Sequence, residues 1–262
     1  MTIIAYATSL QADEIRFYFN NDSVNGLKIS DAYETHDMGI EYENNFTRLN
    51  FNLAIVSPDM HVYENEYRQA NRAFGEIVSI TYGRKLETAD GTRNIEIFGR
   101  SRASGKFGLD DTQDFAHRIL NLREVTRINE LVRMPNNTWI GFGLGYKHEL
   151  PTNRLEAIQS ASAEIYLGTD ASYLRAGYNY EHDLSYATLT LATNVTYVKN
   201  DEIVSAQPVG APVRDVIPAI EIGLRRVYSD FTLYAVDRFS LPTISSDDSI
   251  FGTLKAGISF DF

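Results

Sequence analysis

The chain contains no cysteine, which excludes disulfide staples, thiolate zinc sites and a cysteine nucleophile. A chain without cysteine suits export. No segment approaches the roughly 20 consecutive apolar residues of a membrane-spanning helix, so a helical membrane protein is excluded. There is no basic run, and the net charge of −11 disfavours attraction to nucleic acid or to an anionic surface. The first twelve residues, "MTIIAYATSLQA", lack the basic start and the apolar core of about 7–15 residues that mark a secretory signal. They are expected to be a signal remnant or a disordered N-terminus, leaving residues 13–262 as a single domain.

What is present is aromatic and periodic. Sixteen Tyr and fourteen Phe, against one Trp, recur with period two, the strand period. In "SIFGTLKAGISFDF", Ile250, Gly252, Leu254, Ala256, Ile258, Phe260 and Phe262 share one face; Phe251, Thr253, Lys255, Gly257, Ser259 and Asp261 share the other. In "NTWIGFGLGYKHEL", Ile140, Phe142, Leu144 and Tyr146 oppose three glycines. Strands of this length are unusual in a soluble sandwich or lipocalin-like protein, where about 5–6 residues is typical. An apolar face backed by a polar one suits a wall with lipid outside and a polar lumen.

About twelve such candidates occur, at 14–20, 36–45, 46–57, 73–86, 92–100, 137–149, 153–167, 171–182, 186–199, 214–228, 231–240 and 249–262. Their connections alternate in length. "ENN", "ETADGT", "LPT", "DLS" and "SD" are short; 58–72, 101–136, 200–213 and 241–248 are long. Short periplasmic turns, long external loops and an even strand count are properties of outer-membrane barrels. The expected fold is therefore all-β, a transmembrane antiparallel barrel of about twelve strands in the bacterial outer membrane, with both termini periplasmic. The terminal Phe262 is a residue that such barrels typically carry as an assembly signal.

In that topology the polar stretch "NNDSVNGLKISDAYETHD" at 20–37 falls at the external rim, with Asn21, Asp22, Thr35 and His36. The long 101–136 connection emerges there too, and its "DDTQDFAHRILNLREV" reads as one short helix, with Asp110 or Asp111 placed to cap it. At about 100° per residue, Gln113, His117, Leu120 and Glu124 form one stripe. Phe115, Ile119 and Leu122 lie nearly opposite. An imidazole titrating near neutrality is a common general base. Asp22 and Glu124 offer hard oxygen donors, with Asn21 as a supplement, and such donors favour Ca²⁺ over zinc. A cation there would polarise an ester carbonyl.

Several stretches together resemble the outer-membrane lipid A 3′-O-deacylase family: "NND" at 20–22, "DAYETHDMG", "SPDM…ANRAFGEIVSITYG" at 57–83, and "FGRSRASGKFGLDDTQDFAHRIL" at 98–120. The last is the most specific, with glutamine four residues before histidine. The resemblance covers roughly the N-terminal half. It implies Ca²⁺-dependent hydrolysis of the ester that holds the 3′-linked acyl chain of lipid A, on lipopolysaccharide in the outer leaflet, by a monomeric barrel. His117 would activate water with Gln113 beside it, Asn21 and Asp22 would lie in the metal and oxyanion region, and Thr35 would line the pocket. The acidic partner is Glu124 or Glu130. Two departures from the family pattern stand out: Glu34 interrupts the tyrosine-threonine pair, and the following glycine is displaced to Gly39.

Other functions fit less well. A calcium-dependent outer-membrane phospholipase requires serine two residues after its histidine, and none of "HDM", "HVY", "HRI", "HEL" and "HDL" supplies it. A passive channel or adhesin is compatible with polar lumen residues such as Lys255, Asp261 and Asn194, and single-channel conductance separates it from an enzyme. A barrel that only binds lipopolysaccharide is the third alternative.

Overall fold

The computed structural model describes residues 13–21, 36–56, 75–88, 91–108, 134–152, 154, 156–201, 215–241 and 251–262. These form twelve strands: β1 (Glu14–Asn21), β2 (His36–Glu43), β3 (Thr47–Val56), β4 (Gly75–Glu87), β5 (Arg93–Gly105), β6 (Asn137–Leu150), β7 (Ala157–Gly168), β8 (Ala171–Asp183), β9 (Thr188–Asp201), β10 (Val216–Val227), β11 (Thr232–Ser240) and β12 (Phe251–Asp261). Each pairs antiparallel with its neighbour in sequence, and β1 closes on β12, giving a closed barrel. Closure leaves no unpaired edge, the condition for strands to cross a bilayer.

The alternation read from the sequence sorts correctly onto the two faces. Phe17, Ile40, Phe51, Ile80, Ile97, Phe142, Leu144, Ile220 and Leu224 are all exposed on the outer wall. Arg16, Glu41, Arg48, Glu96, Arg175 and Glu181 occupy the opposite face. The interior is tied by ion pairs between strands: Arg16 with Glu41 at 2.7 Å, Arg48 with Glu96 at 2.9 Å, and Lys85 with Glu43. Near the end that holds Asp13 and Phe262, outward Tyr146 and Tyr180 stack on His148 and His182, and Tyr228 stacks on Phe231 at 4.8 Å. These rings form the amphipathic belt expected at a membrane interface. Leu144 lies midway along β6, so Leu144→Arg is expected to cost about 2–4 kcal/mol of folding stability in lipid vesicles; a denaturant titration yielding no loss would contradict a lipid-facing wall.

The turns at the end shared by the termini are short. Between β4 and β5, the Gly91 amide donates to the Thr88 carbonyl at 2.8 Å, with Gly91 at φ 69°. That left-handed conformation is one glycine adopts without steric cost, which suits Gly91 of the "ETADGT" link to its place in the reversal. At the opposite end, β7 and β8 join through only Thr169 and Asp170.

Strand bounds differ from the expected ones by up to five residues, most at the end of β5. β5 runs to Gly105 rather than ending near Arg100, because residues 101–104 pair with both β4 and β6 and Gly105 still pairs with Glu76 of β4. Its outward residues there, Ser101, Ala103 and Gly105, are small, so the apolar half of the alternation disappears although the ladder continues. Among the described residues there is no helix; the segment expected to be helical lies outside them, as do Met1–Ala12.

Candidate functional site

Asn21 closes β1 at the end opposite the termini, its backbone in register with His36 on one side and Leu254 on the other. The connection carrying Asp22 and Thr35 therefore leaves from and returns to this far rim. The connection between β5 and β6 does the same, starting after Gly105 and ending before Asn137. Asp22, Thr35, Gln113, His117, Glu124 and Glu130 themselves lie outside the described residues. Among the described residues, no group of three His, Asp or Glu side chains is arranged to hold a metal ion.

The framework beneath this rim is built from inward-facing residues of β5, β6 and β7. Phe98 and Tyr166, each 1% exposed, lie parallel with ring centroids 6.1 Å apart. They fit because the facing positions are glycine. A Cβ on Gly143 would sit 2.1 Å from the Phe98 ring, and one on Gly141 would sit 2.4 Å from the Tyr166 hydroxyl. The Arg100 guanidinium lies over both rings, at 5.8 and 4.9 Å from their centroids. Such contacts strengthen as water is excluded.

Closer to the rim, the Tyr166 hydroxyl donates to Asp170 Oδ1 at 2.8 Å, and Arg102 Nη1 lies 3.2 Å from Oδ2. Asp170 is fully buried, so the turn between β7 and β8 is locked to β5 through a compensated buried charge. Ala54, Ile77, Met134 and Trp139 form a buried apolar cluster inside the same rim. Sequence reasoning missed this cluster. The available signal was Trp139 on the glycine face of β6, an indole where a purely polar lumen would place none.

Two anchors hold the ends of the long β5–β6 connection. At its start, the Phe107 amide donates to Glu76 Oε2 at 2.5 Å. At its return, the Ser104 hydroxyl donates to the Pro135 carbonyl at 2.8 Å and accepts from the Asn137 amide at 2.9 Å. On β12, β1 and β3, Lys255 Nζ sits 3.9 Å from the Tyr18 ring centroid, and the Tyr18 hydroxyl accepts from the Asn50 and Asn52 amides at 3.2 and 3.1 Å.

A cavity of about 430 Å³ opens at the other mouth, beside the termini, among Glu43, Lys85, Glu96, Lys147, Glu164 and Arg175. It is remote from the far rim and does not coincide with the residues singled out in the sequence. Its charges are already paired in part, Lys85 with Glu43 and Glu164 with the Tyr173 hydroxyl at 2.7 Å.

No family model matches the sequence, and no curated protein matches it. Solved structures do match in fold. LpxR from Salmonella typhimurium superposes with a TM-score of 0.75 at 12% identity, covering 95% of this chain and all of LpxR. The NanC porin superposes at 0.52 with 8% identity over 96% of this chain and 100% of its own. The translocator domain of autotransporter NalP from Neisseria meningitidis gives 0.51 at 10% identity, over 96% of this chain and 89% of that domain. These similarities establish an outer-membrane type of β-barrel and support an outer-membrane location for the chain.

Proposed function

We propose that this barrel is a lipid A deacylase, removing the 3′-linked acyl chain of lipopolysaccharide by Ca²⁺-dependent ester hydrolysis at its far rim, which faces the outer leaflet. The observation that carries the reading is the attachment of both motif-bearing connections to one rim, within a barrel that LpxR matches over its whole length. Porins and translocators share the barrel more loosely, and the "NND" and "DDTQDFAH" stretches favour the enzyme over a channel.

Distance permits the two motifs to meet. The β1–β2 and β5–β6 hairpins are separated by about four strand spacings, ~19 Å along the wall. The chain between Gly108 and Met134 is 25 residues long, a contour of roughly 80 Å when extended, several times that separation. His117 acts as general base, taking a proton from the water that attacks the ester carbonyl. Gln113 holds the imidazole or the water in line, and Thr35 lines the pocket. Asp22 and Glu124 hold the cation, with Asn21 beside them; Glu130 is the alternative acid. A carboxylate and amide oxygen set suits Ca²⁺, which when bound polarises the carbonyl and offsets charge developing on its oxygen.

The test is mass spectrometry of lipid A from cells with and without the protein. Loss of the mass of one 3′-linked acyl chain is the expected result, and EGTA should suppress that loss in membranes. Unchanged lipid A in the presence of folded protein would sink the reading; deacylation that survives EGTA would remove the cation from it.

A further inference from the structure

The two ends of the β5–β6 connection are fixed on opposite sides of the barrel wall. Glu76 alternates with Ile80 and Tyr82, both exposed on the outer face of β4, and its register partner is Gly105. The Phe107 ring lies over Gly105, where a Cβ would be 3.0 Å from it, so the chain departs across the outer, lipid-side surface. On return it enters the lumen. The Met134 side chain lies 2.5 Å from where a Gly75 Cβ would be, buried with Ile77, Trp139 and Ala54. Its two described ends thus lie on opposite sides of the wall, Phe107 over Gly105 on the bilayer side and Met134 among the buried side chains inside.

Glu76 stands out in this arrangement. It occupies a lipid-side register position yet has no exposed surface, and its carboxylate receives the Phe107 amide. A carboxylate excluded from water is costly unless its oxygens are bonded, so a bonded one resists displacement. We propose that Glu76 is a positioning residue, fixing the point from which the connection bearing Gln113 and His117 leaves the wall on the membrane side, where an acyl ester of an outer-leaflet lipid approaches laterally. This rests on the deacylase reading, because it assigns Glu76 a role in that reaction. Glu76 acts through the backbone at Phe107 and does not touch substrate.

The experiment uses the full chain in lipid vesicles containing lipopolysaccharide, with heat-modifiable gel mobility as the check on barrel folding. Glu76→Ala is expected to speed exchange of the Phe107 amide hydrogen by at least about tenfold. The same variant should lower kcat about 100-fold with KM within about twofold, as expected when a reacting group is misplaced by around an ångström. Glu76→Gln keeps the acceptor oxygen and should recover kcat to within about fivefold. Phe107→Pro removes the donor while leaving the carboxylate and should reproduce the alanine variant's loss of kcat. Unchanged Phe107 exchange in Glu76→Ala overturns the anchor. Faster exchange with unchanged kcat overturns the positioning role. A wild type that folds, protects Phe107 and releases no acyl chain refutes the deacylase reading and the positioning role, while the anchor stands.

Discussion

Replacing His117 with alanine is expected to lower the rate of 3′-acyl release from lipid A by about 10²–10⁴-fold, the usual contribution of a positioned general base. The barrel should still fold, because the ladders and interior ion pairs are formed by other residues. The effect should fall on kcat rather than KM, since an imidazole that takes a proton only as water attacks adds little to ground-state binding. Gln113→Ala should lose less, because an orienting amide leaves the base in place. Mass spectrometry of lipid A after expression of each variant measures both. A His117→Ala protein that deacylates at the wild-type rate would move the chemistry away from the β5–β6 connection and leave the resemblance at 98–120 without a function.

The largest expected effect on stability is at Asp170. This carboxylate is fully buried, accepts the Tyr166 hydroxyl and pairs with Arg102. Asp170→Ala leaves both a guanidinium and a hydroxyl without their partner in the interior, a change that typically costs about 3–5 kcal/mol. Chemical unfolding in lipid vesicles measures it. The combined change Arg102→Met, Tyr166→Phe and Asp170→Leu should recover most of the loss, since it removes both charges and the hydroxyl that would otherwise be left without a partner. A loss below about 1 kcal/mol for the single variant would put the pair in the class of solvated surface bridges. Recovery of stability without recovery of activity would indicate that the locked β7–β8 turn also shapes the far rim.

The strand count and wall orientation were legible because a barrel strand repeats a simple rule at every second residue. Ile140, Phe142, Leu144 and Tyr146 form the outer face as their alternation required. That rule fails where the outward residues shrink, at Ser101, Ala103 and Gly105, where the strand continues without an apolar face to mark it. The interior resists the same treatment. Gly141 and Gly143 were visible as one face of β6, but not that Tyr166 and Phe98 fill the space above them. Those rings come from strands on either side, so their meeting depends on register.

By itself the sequence determined the class of fold, the side each strand residue faces and the chemistry available in the two polar connections, since periodicity and residue type are local properties. Only the tertiary structure decided that Arg102 finds Asp170, that Met134 enters the lumen while Phe107 lies outside it, and that Glu76 is sealed from solvent. Those contacts join residues far apart in the chain, 68 positions for Arg102 and Asp170, and depend on ladder offsets and barrel closure that no single segment encodes.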